Sequence, residues 1–413
     1  MYQLEKCIPP LLASRDHKAI VGRIQAAMRA EGFDYLVLTH VQDTFYATGY
    51  MPLMPSAVTV VPAEGKVVLI VSTLESEAAY SLTCDEVEVR EVRSWVFIDD
   101  GSERSRSEKG TVIDPNGAAG VAVDVLRARP LRGKIGVNTG IVGKRFWDVL
   151  ISGVGEEHFA DCAAMMLRVR IQKTPWEIDM LRIAARQAEE VYKLVAADIH
   201  PGMPAWKIDA LYVYYSAKLN LDLGIMSRRH VFLTSQGEYF GLSGMPRGYI
   251  LKKGDVVKLD AGFRYMEHTS DIARTFAVGG DADDKVQRAY EILYKAYRKG
   301  VEALSADTRI SDLYWLMRRD VETSDLIPSY PRGNLGHSVG CGFHAEEYPT
   351  ISRDRGEMTF GTNTVYCVET PYSGVCGAAV LGGFNIEDTF AITDRGVEAF
   401  TTAPDNLLWT NQL

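Results

Sequence analysis

Four acidic side chains interrupt segments whose other residues are suited to a protein interior. Asp260 follows the apolar run VVKL, Asp271 opens DIARTF, Glu369 lies in VYCVETPY and Glu387 in GFNIEDTF. Burying an unpaired carboxylate costs several kcal/mol or more, so each must protonate, pair or bind a cation. The basic residues nearby, Lys258, Arg264 and Arg274, are too few to neutralise all four. Divalent cations are the simpler solution. An imidazole beside the carboxylates moves the preference from Mg or Ca toward Mn, Fe, Co or Zn. His337 in GNLGHSVGCGFH is the candidate, because flanking glycines let the backbone pass close to a metal centre. His344, seven residues on, is placed to touch substrate or move a proton. The inventory fits a dinuclear site with bridging carboxylates, a centre that acidifies water and stabilises a developing oxyanion.

Asp271 lies eleven residues after Asp260, and a turn around Tyr265 to His268 would fold the two segments back on each other. Other polar residues read more plainly. Glu267, His268 and the DADD run at 281–284 read as surface and helix N-terminal charges. His17, His40, His158, His200 and His230 read as surface or satisfied core residues. The glycines of 333–342 are no phosphate loop, because no Lys-Ser/Thr pair follows them. Cys341 lacks the third orienting group that a nucleophile needs.

A length of 413 residues predicts two to three domains. Up to about residue 160, helical and strand-like segments alternate, which implies an α/β unit. Residues 19–31 form an amphipathic helix stopped by Gly32, residues 34–39 and 133–138 read as strands, and two apolar runs around Pro62–Gly65 read as a hairpin. Residues 99–110 read as an exposed loop. The strongest helix start follows, with Thr174 as N-cap, Pro175 in the first turn and Glu177 as capping-box partner. Another helix is expected from Pro204 to about Leu219. Beyond residue 230, strand-like runs mix with helices near 283–304 and 310–321, which implies an α+β unit. The expected domains are 1–165 and 166–413.

Composition excludes other classes. Apolar residues at 46% and charged residues at 24% rule out a disordered chain. A net charge of −9 lacks the basic footprint of a nucleic-acid binder. No stretch approaches the roughly 20 apolar residues of a membrane span. The six scattered cysteines read as free thiols in a reducing compartment. The first residues lack a signal-peptide apolar core, so a cytoplasmic location is expected.

Taken together, Asp260, Asp271, GHSVGCGFH, VET and NIEDTF resemble the M24 metallopeptidase superfamily of methionine aminopeptidase, prolidase and creatinase. The likeness covers residues 165–400. It implies a pita-bread catalytic domain (creatinase/aminopeptidase-like, α+β). Ahead of it, the α/β part is similar to the N-terminal domain of the prolidase and creatinase branch. The resemblance implies two divalent ions (Mn, Co, Zn or Fe) held by Asp260, Asp271, His337, Glu369 and Glu387. Glu369 would also accept a proton, and His344 would contact the scissile group. Many relatives carry a His seventeen residues before the first Asp and another four before the metal His. Here those positions hold Ser243 and Gly333. The implied activity is hydrolysis of an amide bond, in an Xaa-Pro dipeptide or short peptide first. The two replaced histidines admit a non-peptide small molecule (creatinase- or ectoine-hydrolase-like cleavage, or a dimethylsulfoniopropionate lyase-like reaction) as a second reading. A non-catalytic binding module ranks last, since such modules lose ligands. A homodimer is the implied assembly, without nucleic-acid or membrane partners.

Overall fold

The computed structural model describes residues 6–93, 116–219, 222–223, 231–235, 238–240, 248–280, 282–327, 330–341, 347–376, 379–405 and 408–409. The loop expected at 99–110 lies outside them. The chain divides into two compact units, Met1–Val169 and Arg170–Leu413. Among the described residues, no helix is long and apolar enough to cross a membrane.

The first unit is a six-stranded mixed sheet covered by helices. In chain order its strands are β1 (Phe33–Leu38), β2 (Val58–Pro62), β3 (Val67–Ser72), β4 (Val87–Val92), β5 (Lys134–Val137) and β6 (Phe159–Asp161), arranged β4-β3-β2-β1-β5-β6. The β2–β3 hairpin is antiparallel, whereas β5 joins β1 in parallel. Near-continuous Val and Ile runs suit strands buried on both faces. The helix His17–Glu31 starts two residues before the apolar pattern, because the Asp16 side chain accepts from the Ala19 N–H. It stops where Gly32 turns to φ 75°, a conformation glycine adopts at little cost.

In the second unit the helix Pro175–Asp198 has the full capping box, Thr174 and Glu177 each accepting from the other's backbone N–H. The next helix is Lys207–Lys218, later than expected. Pro204 instead forms a β-bridge with Ile250. The remaining strands are β7 (Asp222–Leu223), β8 (Val231–Ser235), β9 (Glu238–Phe240), β10 (Val256–Asp260), β11 (Phe263–Tyr265), β12 (His268–Thr269), β13 (Ala273–Ala277), β14 (Asn334–Ser338), β15 (Gly340–Cys341) and β16 (Glu347–Ser352). They continue as β17 (Thr364–Glu369), β18 (Tyr372–Cys376), β19 (Ala379–Phe384), β20 (Glu387–Thr393), β21 (Gly396–Ala399) and β22 (Leu408–Trp409).

Among the described residues, the main sheet runs β16-β14-β17-β20-β13-β10-β8-β9, with β21 on β20 and β22 on β13. Side chains of alternating residues point to opposite faces of a strand. In β17, Val365 and Cys367 accordingly pack with Ile178, Leu181 and Ala185 of the capped helix. The intervening Tyr366 and Val368 join the core built by the helices Asp284–Ala303 and Ile310–Glu322. Strand β17 is therefore buried on both faces.

Candidate metal centre

Register alone gathers most of the site. Asp260 ends β10 opposite Ala273, Ala273 also faces Glu387, and Glu387 faces Glu369. In β14, His337 lies opposite Cys367 of β17. Directly opposed residues share a sheet face, as do residues two apart on a strand. Asp260, Glu387, Glu369, Cys367 and His337 thus look out from one face. Asp271 precedes β13, and its carbonyl accepts from Thr389 Oγ1 at 2.6 Å. A turn at Met266 and Glu267, both at positive φ, reverses the chain between β11 and β12 and brings Asp271 back to Asp260.

Carboxylate oxygens of Asp260, Asp271 and Glu387 lie within 4.8 Å of one another. His337 Nε2 is 3.6 Å from Asp271 Oδ2. The Asn385 Nδ2 joins the group, 3.2 Å from Asp260 Oδ2, 3.0 Å from Glu369 Oε2 and 3.2 Å from Glu387 Oε2. All five residues that the sequence singled out as ligands therefore converge. His344 and Ser243 lie outside the described residues. Gly333 is described, and a Cβ there would meet no atom of the described residues within 4 Å.

Electrostatics explains why such a cluster calls for cations. Lys258 Nζ is 2.8 Å from Asp260 Oδ2, and Arg332 Nη2 is 3.3 Å from Glu369 Oε1. The other basic residues that the sequence offered are engaged elsewhere. Arg274 binds Asp388 and Glu189, and Arg264 pairs with Glu267. Glu387 is 1% exposed and its Oε1 has no hydrogen-bond partner among the described residues. Burial, followed by the charges of Asp271, Glu369 and Asp260, holds its carboxyl well above the ordinary carboxylate range. This orphaned, deeply buried oxygen in a ring of acids fits a divalent cation. The imidazole fits as well. The backbone carbonyl of Ser338 can only accept, so its 3.0 Å contact places a proton on His337 Nδ1, and in the neutral ring this leaves Nε2 as a lone-pair donor toward Asp271.

Three residues beside the site were not read from the sequence as part of it. Cys367 stands two residues before Glu369 on the same face of β17, so period-two spacing was the available signal, whereas Asn385 lies in the link between β19 and β20, two residues before Glu387. Tyr192 carries no such signal. Its hydroxyl accepts from the Ala261 N–H at 2.7 Å and lies 2.9 Å and 3.1 Å from the carbonyls of Ala261 and Ile272. It fastens together the residues that follow Asp260 and Asp271. His268 corrects an expectation: it is 1% exposed, not a surface charge, with its ring edge-on to Trp176.

Residues 179–394 match the model of metallopeptidase family M24, and residues 21–172 match that of the creatinase/prolidase N-terminal domain. The chain is 29% identical to an Xaa-Pro dipeptidase of Pyrococcus furiosus over 249 residues, 58% of this chain and 66% of that one. It is 27% identical to a methionine aminopeptidase of Clostridium perfringens over 252 residues, 56% of this chain and 98% of the relative. The solved structure of an Xaa-Pro dipeptidase from Bacillus anthracis superposes with a TM-score of 0.76 at 18% identity, covering 95% of this chain and all of that one.

Proposed function

This chain belongs to metallopeptidase family M24, and from that premise we propose that it hydrolyses the amide bond of a short peptide, with an Xaa-Pro dipeptide as the first substrate class. Asp260, Asp271, His337, Glu369 and Glu387 would hold two divalent ions drawn from Mn, Co, Zn and Fe. Such ions supply Lewis acidity for the carbonyl and lower the pKa of the attacking water. The chain's own groups do the rest. Glu369, buried beside Arg332, would accept the proton of the attacking water. His344 contacts the scissile group by its likeness to the family position. Arg332 (43% exposed in its side chain) pairs with the Glu369 carboxylate and orients it.

The observation that carries this reading is the convergence of four carboxylates and a lone-pair imidazole around a buried, unpartnered Glu387 oxygen. The relatives named above support the peptide substrate. The test is to strip the protein of metal and assay Xaa-Pro dipeptides with Mn, Co or Zn restored. The reading expects activity to return with the ion. Turnover that persists without metal, or an absence of ions at near-stoichiometric level, would refute it.

The same proposal assigns residues 1–165 to the N-terminal domain and 166–413 to the catalytic domain, a division the two compact units support. It takes the assembly to be a homodimer, testable by light scattering. It places the protein in the cytoplasm, in keeping with the free thiols Cys7, Cys84, Cys162, Cys341 and Cys367.

A further inference from the structure

The candidate metal centre straddles a seam in the main sheet. Strands β10 and β13 pair continuously from Val256–Ala277 to Asp260–Ala273, and β17 pairs with β20 from Thr364–Ile392 to Glu369–Glu387. Between these two blocks the ladder nearly fails. Among the described residues, β13 meets β20 at the single register pair Ala273–Glu387. Asp260 ends β10 and Asp271 precedes β13, whereas His337, Glu369 and Glu387 lie on β14, β17 and β20. An ion shared by these residues draws its ligands from both sides of a junction that backbone pairing hardly holds.

Side chains sew the seam instead. Arg274 of β13 reaches across with both arms of its guanidinium. Its Nη1 donates to the Glu387 carbonyl at 2.7 Å, and its Nη2 donates to Asp388 Oδ1 at 2.7 Å. Asp388 is itself held in place, since Tyr297, Thr401 and the Ala403 N–H also donate to it. Thr275 Oγ1 donates to the Asn385 carbonyl at 3.0 Å and accepts from the Asn385 N–H at 3.1 Å, so one hydroxyl stands in for a ladder pair. From the other side, Thr389 Oγ1 of β20 donates to the Asp271 carbonyl at 2.6 Å. Arg274, Thr275, Asp388 and Thr389 are all buried, which leaves water little access to replace these bonds.

We propose that Arg274 and Thr389 are positioning residues for the metal centre, fixing its aspartate half against its glutamate and histidine half. This rests on the metal centre proposed above and concerns groups outside its ligand set. Carboxylate oxygens of Asp271 and Glu387 lie within 4.8 Å, so without cations their charges push the two halves apart. Thr389 grips the main chain of Asp271, and Arg274 grips that of Glu387. A grip on the main chain steers a ligand without occupying its carboxylate oxygens. Paired catalytic ions sit about 3.5–4 Å apart, a spacing that slippage along this seam would spoil.

The test titrates metal-free full-length protein with Co2+, following the visible d–d bands, beside Thr389→Val, Thr389→Ser and Arg274→Lys. Val keeps the volume and loses the hydroxyl. Its metal-free Tm should fall by about 2–4 °C, the effect of one lost buried hydrogen bond. Its cobalt affinity should fall roughly 10–100-fold. Ser keeps the hydroxyl and should bind cobalt like the parent. Arg274→Lys keeps the charge but not the two-armed grip, and should also weaken cobalt. A Thr389→Val protein with lowered Tm and parental cobalt affinity would overturn the proposal, leaving Thr389 a structural role only. Thr389→Ser as weak as Thr389→Val would overturn it too. Either result leaves the five-ligand centre standing, whereas failure of the unaltered protein to bind cobalt overturns both.

Discussion

Replacing Glu387 by Gln separates a carboxylate kept for a cation from one that supports the fold. The relevant oxygens of Glu387, Asp260 and Asp271 lie within 4.8 Å of one another. At that separation two like charges repel by about 3.5 kcal/mol with an effective dielectric near 20. The metal-free protein escapes part of this cost by keeping a proton on Glu387, whose carboxyl is held well above the usual range. Gln has the shape of that protonated side chain. The metal-free variant should therefore match the parent in stability within about 1 kcal/mol at neutral pH. Metal should expose the difference. Cobalt at a hundred times its dissociation constant stabilises the parent by about 2.7 kcal/mol, a rise in Tm of about 5–11 °C for a unit of this size. If Gln weakens binding 100-fold, the same cobalt concentration gives the variant only about 0.4 kcal/mol, a shift of about 1–2 °C. Differential scanning calorimetry with chelator and with cobalt reads both effects. A metal-free variant that loses several kcal/mol, or equal cobalt shifts in both proteins, would refute the reasoning.

Three further outcomes are expected. Burial, and after it Arg15, lowers the His17 pKa to about 4, so the folded form resists the proton that the unfolded chain accepts near 6.5. Stability should fall by roughly 3 kcal/mol as pH drops from 6.5 to 4, and His17→Asn should flatten that slope in denaturant titrations; an unchanged slope would count against the assignment. Thr174→Ala should cost about 1 kcal/mol by opening the capping box, with Thr174→Ser restoring most of it; no loss in urea unfolding would contradict the cap's role. Tyr192→Phe removes the nearer acceptor of the buried Ala261 N–H and leaves it the longer 3.3 Å bond to the Ile272 carbonyl, at a cost of about 1 kcal/mol; calorimetry of the metal-free protein reads this, and an unaltered Tm would show that the staple between the two aspartates is unimportant.

The sequence made the chemistry more legible than the geometry. Four acids in apolar strands carry their own signal, because burial of charge is costly enough to demand an explanation. Helix starts such as Thr174-Pro175 were equally plain, since capping is local. A start without a cap was not: the helix expected from Pro204 begins at Lys207, because Pro204 joins a β-bridge to Ile250 through tertiary contacts that periodicity cannot register. His268 escaped notice because its burial depends on Trp176, distant in the chain. Cys367 read as an ordinary core thiol, since only strand register reveals that it faces His337. The Tyr192 staple depends on a helix docking across two strand ends, and nothing near position 192 announces it.

Metal stoichiometry tests the central claim most directly. Protein dialysed to equilibrium with Co2+ should retain two ions per chain by elemental analysis, and Asp271→Ala or Glu387→Ala should retain one or none. Retention of less than one ion by the unaltered chain, or of two by the variants, would contradict a centre built from Asp260, Asp271, His337, Glu369 and Glu387.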